Sequence, residues 1–115
     1  MTIHVDLLGT ETRFIDTGKY TTRTISAPGT GEHVFLLHGG GGHAETYSRN
    51  LMALSNVCQP HAIDFIWHGM SSRPPFSDGA PRAAENWLTQ FTDQLLDLMD
   101  HLGIKKFMVL GYCIG

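Results

Sequence analysis

At 115 residues, with 42% hydrophobic and 17% charged residues, the chain has the composition of one globular domain rather than of a disordered segment. A net charge of −3, with no cluster of Lys or Arg, argues against a nucleic-acid partner. Apolar runs reach only four residues, as in Val34–Leu37, too short to cross a membrane, and "MTIHVDLLGTETR" has neither the basic head nor the apolar core of a secretory signal.

Taken in chain order, "TRFIDT" (12–17) and "YTTRTIS" (20–26) are rich in β-favouring residues around the turn "DTGKY", which predicts a hairpin. "APGTGE" (27–32) is a second turn. "HVFLLHG" (33–39) is a short continuous apolar run ended by glycine, as in a strand buried on both faces. In "HAETYSRNLMALS" (43–55), Tyr47, Leu51 and Leu54 share one face of a predicted helix. "HAIDFI" (61–66) predicts a second buried strand, and "WHGMSSRPPFSDGAP" (67–81) a loop dense in Gly, Pro and Ser. "RAAENWLTQFTDQLLDLMDHLG" (82–103) is the strongest helix, with Ala84, Trp87, Phe91, Leu95, Leu98 and Leu102 in one stripe and Gly103 as its stop. "KKFMVLG" (105–111) predicts a third buried strand, expected at the centre of the sheet.

Hairpin, strand, helix, strand, helix, strand is the order of an α/β domain with parallel strands and right-handed crossovers. Only two helices are expected to cover a sheet that needs both faces covered, so the core is expected to be incomplete in this chain alone.

Chemistry concentrates at the ends of the three apolar strands. In "GYCIG" (111–115), Gly111 and Gly115 stand two places either side of Cys113. A strand turning sharply into a helix holds its tip residue in a strained conformation and needs glycines at those two places. A small buried cysteine at a strand end is the plainer alternative. "HGGGG" (38–42) follows the first apolar strand and can offer open backbone N–H groups to an anionic oxygen. It could also be a phosphate loop or a flexible turn. No Gly-Lys-Ser/Thr follows to make a Walker loop, and a dinucleotide fingerprint would have Ala44 in its third glycine place. The third stretch is "IDFIWHGMS" (63–71).

Together these stretches resemble the α/β-hydrolase superfamily, with its H-G-x-G after the third strand, D-x-x-G-H-G-x-S after the fourth and nucleophile elbow after the fifth. His38-Gly39 matches the first motif; Asp64, His68, Gly69 and Ser71 match the second, with Trp67 where glycine is usual. The resemblance covers residues 12–115 and implies the N-terminal half of such a fold, so that residues 1–115 form the N-terminal part of one domain whose remainder is not in this chain. "HGGGGHAETYSRNLMALS" looks most like the carbon–carbon bond hydrolases that act on ring-fission products in aromatic catabolism, and like related esterases. The family nucleophile is usually Ser; a cysteine in "GYC-x-G" is similar to dienelactone hydrolases and polyhydroxyalkanoate synthases.

The resemblance implies a hydrolase in which Cys113 attacks an acyl carbon of an ester, lactone or vinylogous diketone, with Gly40 and Ile114 forming the oxyanion hole. His38, Gly39, Gly41 and Tyr112 would support that site, and Asp64 would brace a loop. The base and acid are expected outside this chain, brought by a second polypeptide that completes the fold. Cys113 is read as native, although a replacement for Ser is the other option. An acyltransferase working through a Cys thioester, and a non-catalytic ligand-binding relative, are the alternatives. No cofactor and no metal are expected: the histidines lack the paired spacing of a zinc site. The partners expected are a small-molecule substrate and the completing polypeptide, with no nucleic acid or membrane; a homo-oligomer is left open and the setting is read as cytoplasmic. Trp67 and Phe76 are candidates for substrate contact, and Trp87 for the core.

The two cysteines, Cys58 and Cys113, lie before and after parallel strands, hence at opposite ends of the sheet. Five or six residues at about 3.3 Å each put them roughly 15–20 Å apart, beyond the roughly 7 Å between Cα atoms that a disulfide tolerates.

Overall fold

The computed structural model describes residues 3–74 and 84–115. A one-turn helix, α1 (Ile3–Asp6), precedes a hairpin of β1 (Glu11–Asp16) and β2 (Thr21–Ser26). Then come β3 (His33–Leu37), a 3₁₀ turn (Ala44–Tyr47), α2 (Leu51–Leu54), β4 (Gln59–Ile63), α3 (Ala84–Leu102) and β5 (Phe107–Gly111). The five strands form one mixed sheet in the order β1-β2-β4-β3-β5. β1 and β2 pair antiparallel, as do β2 and β4, while β3 runs parallel to both β4 and β5.

Strand alternation distributes the core over two layers. Phe35, Leu37 and Ile63 project to one face and pack with Phe65, Phe91, Leu98 and Met99 under α3. Leu36, Ala62 and Ile25 project to the other face and pack with Ala44, Tyr47 and Leu51. Both faces of β3 are thus covered, as its unbroken apolar run requires.

Two expectations are corrected. The helix predicted over 43–55 is split into the 3₁₀ turn and α2. The Thr46 and Ser48 amides bond back three residues, to His43 and Glu45, so the first segment is wound too tightly to continue as one α-helix. The strand predicted at 61–66 begins two residues earlier and stops at Ile63. Beyond it, Phe65 N–H donates to His38 Nε2 at 3.0 Å and Ile66 N–H to Gln94 Oε1 at 2.8 Å, so side chains replace the sheet ladder there. The strand predicted at 105–111 is present as β5 and bonds to β3. The crossover through α3 returns past β3, so β3 is bonded on both sides and β5 takes the edge among the described strands. Met108, Val109 and Leu110 on β5 are about half exposed, at 59%, 54% and 49%.

The stripe of α3 is confirmed at Phe91 and Leu98, with Leu95 and Leu102 partly buried. It also buries Gln94, whose amide donates to Thr22 Oγ1 and to the Asp64 carbonyl, each at 3.0 Å. No helix among the described residues is long and apolar enough to cross a membrane.

Candidate active site

The parallel strands β3, β4 and β5 all point their C-terminal ends the same way, so the stretches singled out in the sequence meet along one rim of the sheet. Leu37 pairs with Gly111 at the ends of β3 and β5. The Tyr112 amide continues that ladder by donating to the Leu37 carbonyl at 3.1 Å, and the Tyr47 hydroxyl donates to the same oxygen at 2.7 Å.

The chain then turns sharply. Gly115 N–H donates to the Tyr112 carbonyl at 3.1 Å, and Cys113 at the tip has φ 61°. That is the left-handed region, which costs a non-glycine residue of order 1 kcal/mol or more. The flanking glycines are required by space: a Cβ on Gly111 would lie 2.2 Å from the Gly115 carbonyl carbon, and one on Gly115 would lie 2.3 Å from the Leu37 oxygen. Cys113 is exposed and free, whereas Cys58 is buried and free, with its thiol toward the Leu54 carbonyl.

The glycine loop lies against this turn. A Cβ built on Gly39 would stand 3.1 Å from Cys113 Cβ, and one on Gly40 would stand 3.7 Å from Ile114 Cδ1. Gly41 has φ 75°, and Gly42 N–H closes the loop onto the Gly39 carbonyl at 2.9 Å. Cys113, Ile114, Tyr112, Gly39, Gly40 and Gly41 are therefore neighbours, drawn from two separate stretches of sequence.

His38 stands beneath the loop, fully buried. Its Nε2 accepts from Phe65 N–H, so the proton of the neutral ring is on Nδ1, which donates to the Gly39 carbonyl at 2.7 Å. Burial pushes its pKa below the ordinary histidine value. With both ring nitrogens committed to backbone, His38 is a strut for the loop and has no free nitrogen for proton transfer. His68 stands beside it, ring centroids 5.0 Å apart, with Nδ1 on the Ile66 carbonyl.

Asp64 is fully buried and gathers the loop after β4. It accepts from Met70 N–H at 2.8 Å and Ala44 N–H at 2.6 Å, and pairs with the Arg23 guanidinium. Burial opposes its charge, but Arg23 and the two amides outweigh that and hold its carboxyl below the ordinary value. A Cβ on Gly69 would fall 2.2 Å from Asp64 Oδ2, which accounts for the glycine there.

Trp67 also has a left-handed backbone, φ 64°, at the place where the family's motif has glycine. Its N–H donates to the Ser72 carbonyl, its indole N–H donates to the Pro74 carbonyl at 2.7 Å, and its ring leans on Phe91. Phe76 and the Trp87 side chain lie outside the described residues.

Sequence reasoning missed two participants. Arg23 sits in a Thr-rich strand segment that reads as half exposed, yet it is 4% exposed. Gln94 was hidden within the apolar stripe of α3. An arginine in the middle of a β-rich run was the available signal for the first; the second had none.

This rim has a strained tip residue between close-packed glycines and an open glycine loop beside it, the arrangement that the sequence resemblance implies. The profile of the alpha/beta hydrolase fold family matches residues 32–115, and the chain belongs to that family. Among curated proteins it is 30% identical over 80 residues to the (lyso)-N-acylphosphatidylethanolamine lipase of Bos taurus, covering 70% of this chain and 22% of that protein. It is 34% identical over 80 residues to the 1-acylglycerol-3-phosphate O-acyltransferase ABHD5 of Homo sapiens, again 70% of this chain and 22% of that protein. The chain thus spans about a fifth of the length of these relatives. Among solved structures, the 2-hydroxy-6-oxo-6-phenylhexa-2,4-dienoate hydrolase of Rhodococcus sp. strain RHA1 superposes with a TM-score of 0.74 at 28% identity, over 89% of this chain and 37% of that one. Epoxide hydrolase A of Mycobacterium thermoresistibile gives 0.74 at 28% identity, over 92% and 32%.

Proposed function

We propose that this chain supplies the nucleophile and oxyanion hole of a hydrolase that transfers an acyl group to water through Cys113. The observation that carries the reading is the left-handed Cys113 at the tip of a glycine-framed turn, with Gly39 and Gly40 beside it.

In this reaction the Cys113 sulfur, as thiolate, forms a bond to the carbonyl carbon, and the carbonyl electron pair moves onto oxygen. The N–H groups of Gly40 and Ile114 receive that oxyanion. The pair then returns, the bond to the leaving oxygen or carbon breaks, and the leaving group takes the proton that the thiol gave up to a base. Water adds to the thioester by the same two steps, giving the carboxylic acid and restoring the thiol. The base and its orienting acid come, in this reading, from polypeptide outside these residues; the edge of β5 that is unpaired among the described strands, with its half-exposed Met108, Val109 and Leu110, supports packing of that polypeptide there. No cofactor takes part in these steps.

The substrate class is an ester, a lactone or a vinylogous diketone of the ring-fission type, met in a cytoplasmic setting. Similarity to the phenylhexadienoate hydrolase supports the diketone. A second reading, transfer of the thioester acyl group to an alcohol, is favoured by the relatives named acyltransferases. The test is a p-nitrophenyl acetate burst with the complete protein, followed by peptide mapping. An acetyl group on Cys113, released by water, supports the hydrolase; release only when an alcohol is added supports the transferase. A burst undiminished in Cys113→Ala overturns both.

A further inference from the structure

Arg23 belongs to none of the motifs, yet among the described residues it is the one Lys or Arg buried among the loops of the site. Its Nε donates to Asp64 Oδ2 at 2.7 Å and its Nη2 to Asp64 Oδ1 at 3.1 Å. Its other edge holds Glu45, with Nη1 donating to Oε2 at 3.1 Å and Nη2 also bonded to Oε1. One planar fork thereby joins three segments: β2, the 3₁₀ turn that follows the glycine loop, and the loop after β4.

His38 Nδ1 anchors the near end of the glycine loop at the Gly39 carbonyl; the far end needs an anchor of its own. Residues 39–42 carry no side chains, and the loop's own closure is the Gly42 to Gly39 bond. One end is rooted in β3. The other passes through His43 to Ala44 and Glu45, whose positions are set by Asp64 and Arg23. His43 Nδ1 also meets Glu45 at 3.1 Å, but from an exposed position.

We infer that Arg23 is a positioning residue for the oxyanion loop: it sets where the Gly40 N–H points by clamping Glu45 and Asp64 together. The inference rests on the acyl-transfer reading and adds to it a residue on β2, outside the motifs. A purely structural ion pair would affect stability and activity together; a positioning clamp affects the acylation step while the thiol stays equally reachable.

The test uses the complete protein with p-nitrophenyl acetate as acyl donor. Arg23→Met strands a buried carboxylate, so Glu45→Gln, which loosens only the loop side, is the main variant. Expected is an acylation rate about 10- to 100-fold lower at unchanged KM, with iodoacetamide capture of Cys113 within about twofold of wild type. Deuterium exchange at the Gly40 and Gly41 amides rises in the same variant. Arg23→Lys keeps the charge but not the fork and shows the same pattern. Wild-type acylation in both variants overturns the inference, as does a loss matched by equal loss of iodoacetamide capture. If Cys113→Ala retains full turnover, the nucleophile reading falls by itself. Arg23 is then judged on exchange: faster exchange at Gly40 in Glu45→Gln upholds the clamp, and unchanged exchange overturns it.

Discussion

The Phe65 amide donates to His38 Nε2 at 3.0 Å, tying the end of one strand to the root of the next strand's loop. The bond replaces a sheet hydrogen bond that β4 no longer makes after Ile63. His38→Ala leaves the Phe65 N–H buried and unpaired, which costs about 1–3 kcal/mol, and His38→Gln, which can still accept, recovers part of it. Urea midpoints of the two variants check this; equal loss in both would show that ring packing, rather than the bond, matters.

A second histidine predicts acid sensitivity. His61 is half-buried, with Nδ1 on Ser26 Oγ at 2.6 Å and Nε2 on His33 Nδ1 at 2.9 Å. Burial, then His33 and Arg13, push its pKa down to about 4. The unfolded chain binds that proton from about pH 6.5. Stability is therefore full above pH 6.5 and falls as the pH drops toward 4, by roughly 3 kcal/mol at most for this group. Neutral His38 adds in the same direction. Urea midpoints at pH 7 and pH 5 should differ by clearly less in His61→Gln than in wild type.

The cysteines should differ in reactivity. With limiting iodoacetamide on the folded, complete protein, the adduct is expected on Cys113, which is exposed, before Cys58, which is buried with its thiol on the Leu54 carbonyl. Peptide mass mapping reads the ratio, and preferential labelling of Cys58 would refute the assignment.

Gly40→Pro removes the N–H proposed as an oxyanion donor. Turnover is expected to fall about 100- to 1,000-fold, with a smaller change in melting temperature, since the Gly40 site faces only Ile114 Cδ1 at 3.7 Å. A folded variant with full activity would remove Gly40 from the site.

The parts of this architecture that were legible in the sequence are those written in local patterns. Glycines two places either side of Cys113 announced a close approach, and the structure leaves no room for a side chain there: a Cβ would fall 2.2 Å from backbone at Gly111 and 2.3 Å at Gly115. The hairpin and α3 were visible from turn residues and periodicity. The order of strands was not, because a continuous apolar run says that both faces are covered but not which edges are bonded. The break between the 3₁₀ turn and α2 was also hidden. It lies in the tight winding of the first segment, whose Thr46 and Ser48 amides bond back three residues, a choice that the periodicity of Tyr47, Leu51 and Leu54 does not show. The role of Arg23 was hidden as well, although an arginine within a β-rich run hinted at it: its partners come from two other segments.

Trp67 gives the site a built-in optical reporter. Its backbone is held in the left-handed region, its indole N–H is fixed on the Pro74 carbonyl, and its ring rests on Phe91, which in turn stacks on Phe65 at 4.4 Å between centroids. Phe65 bonds to His38, and His38 holds Gly39. In residues 1–115 with Trp87 replaced by Phe, the emission maximum of the Trp67 indole would report on the loop after β4. A loosening of that chain of contacts would appear as a red shift without any substrate being supplied.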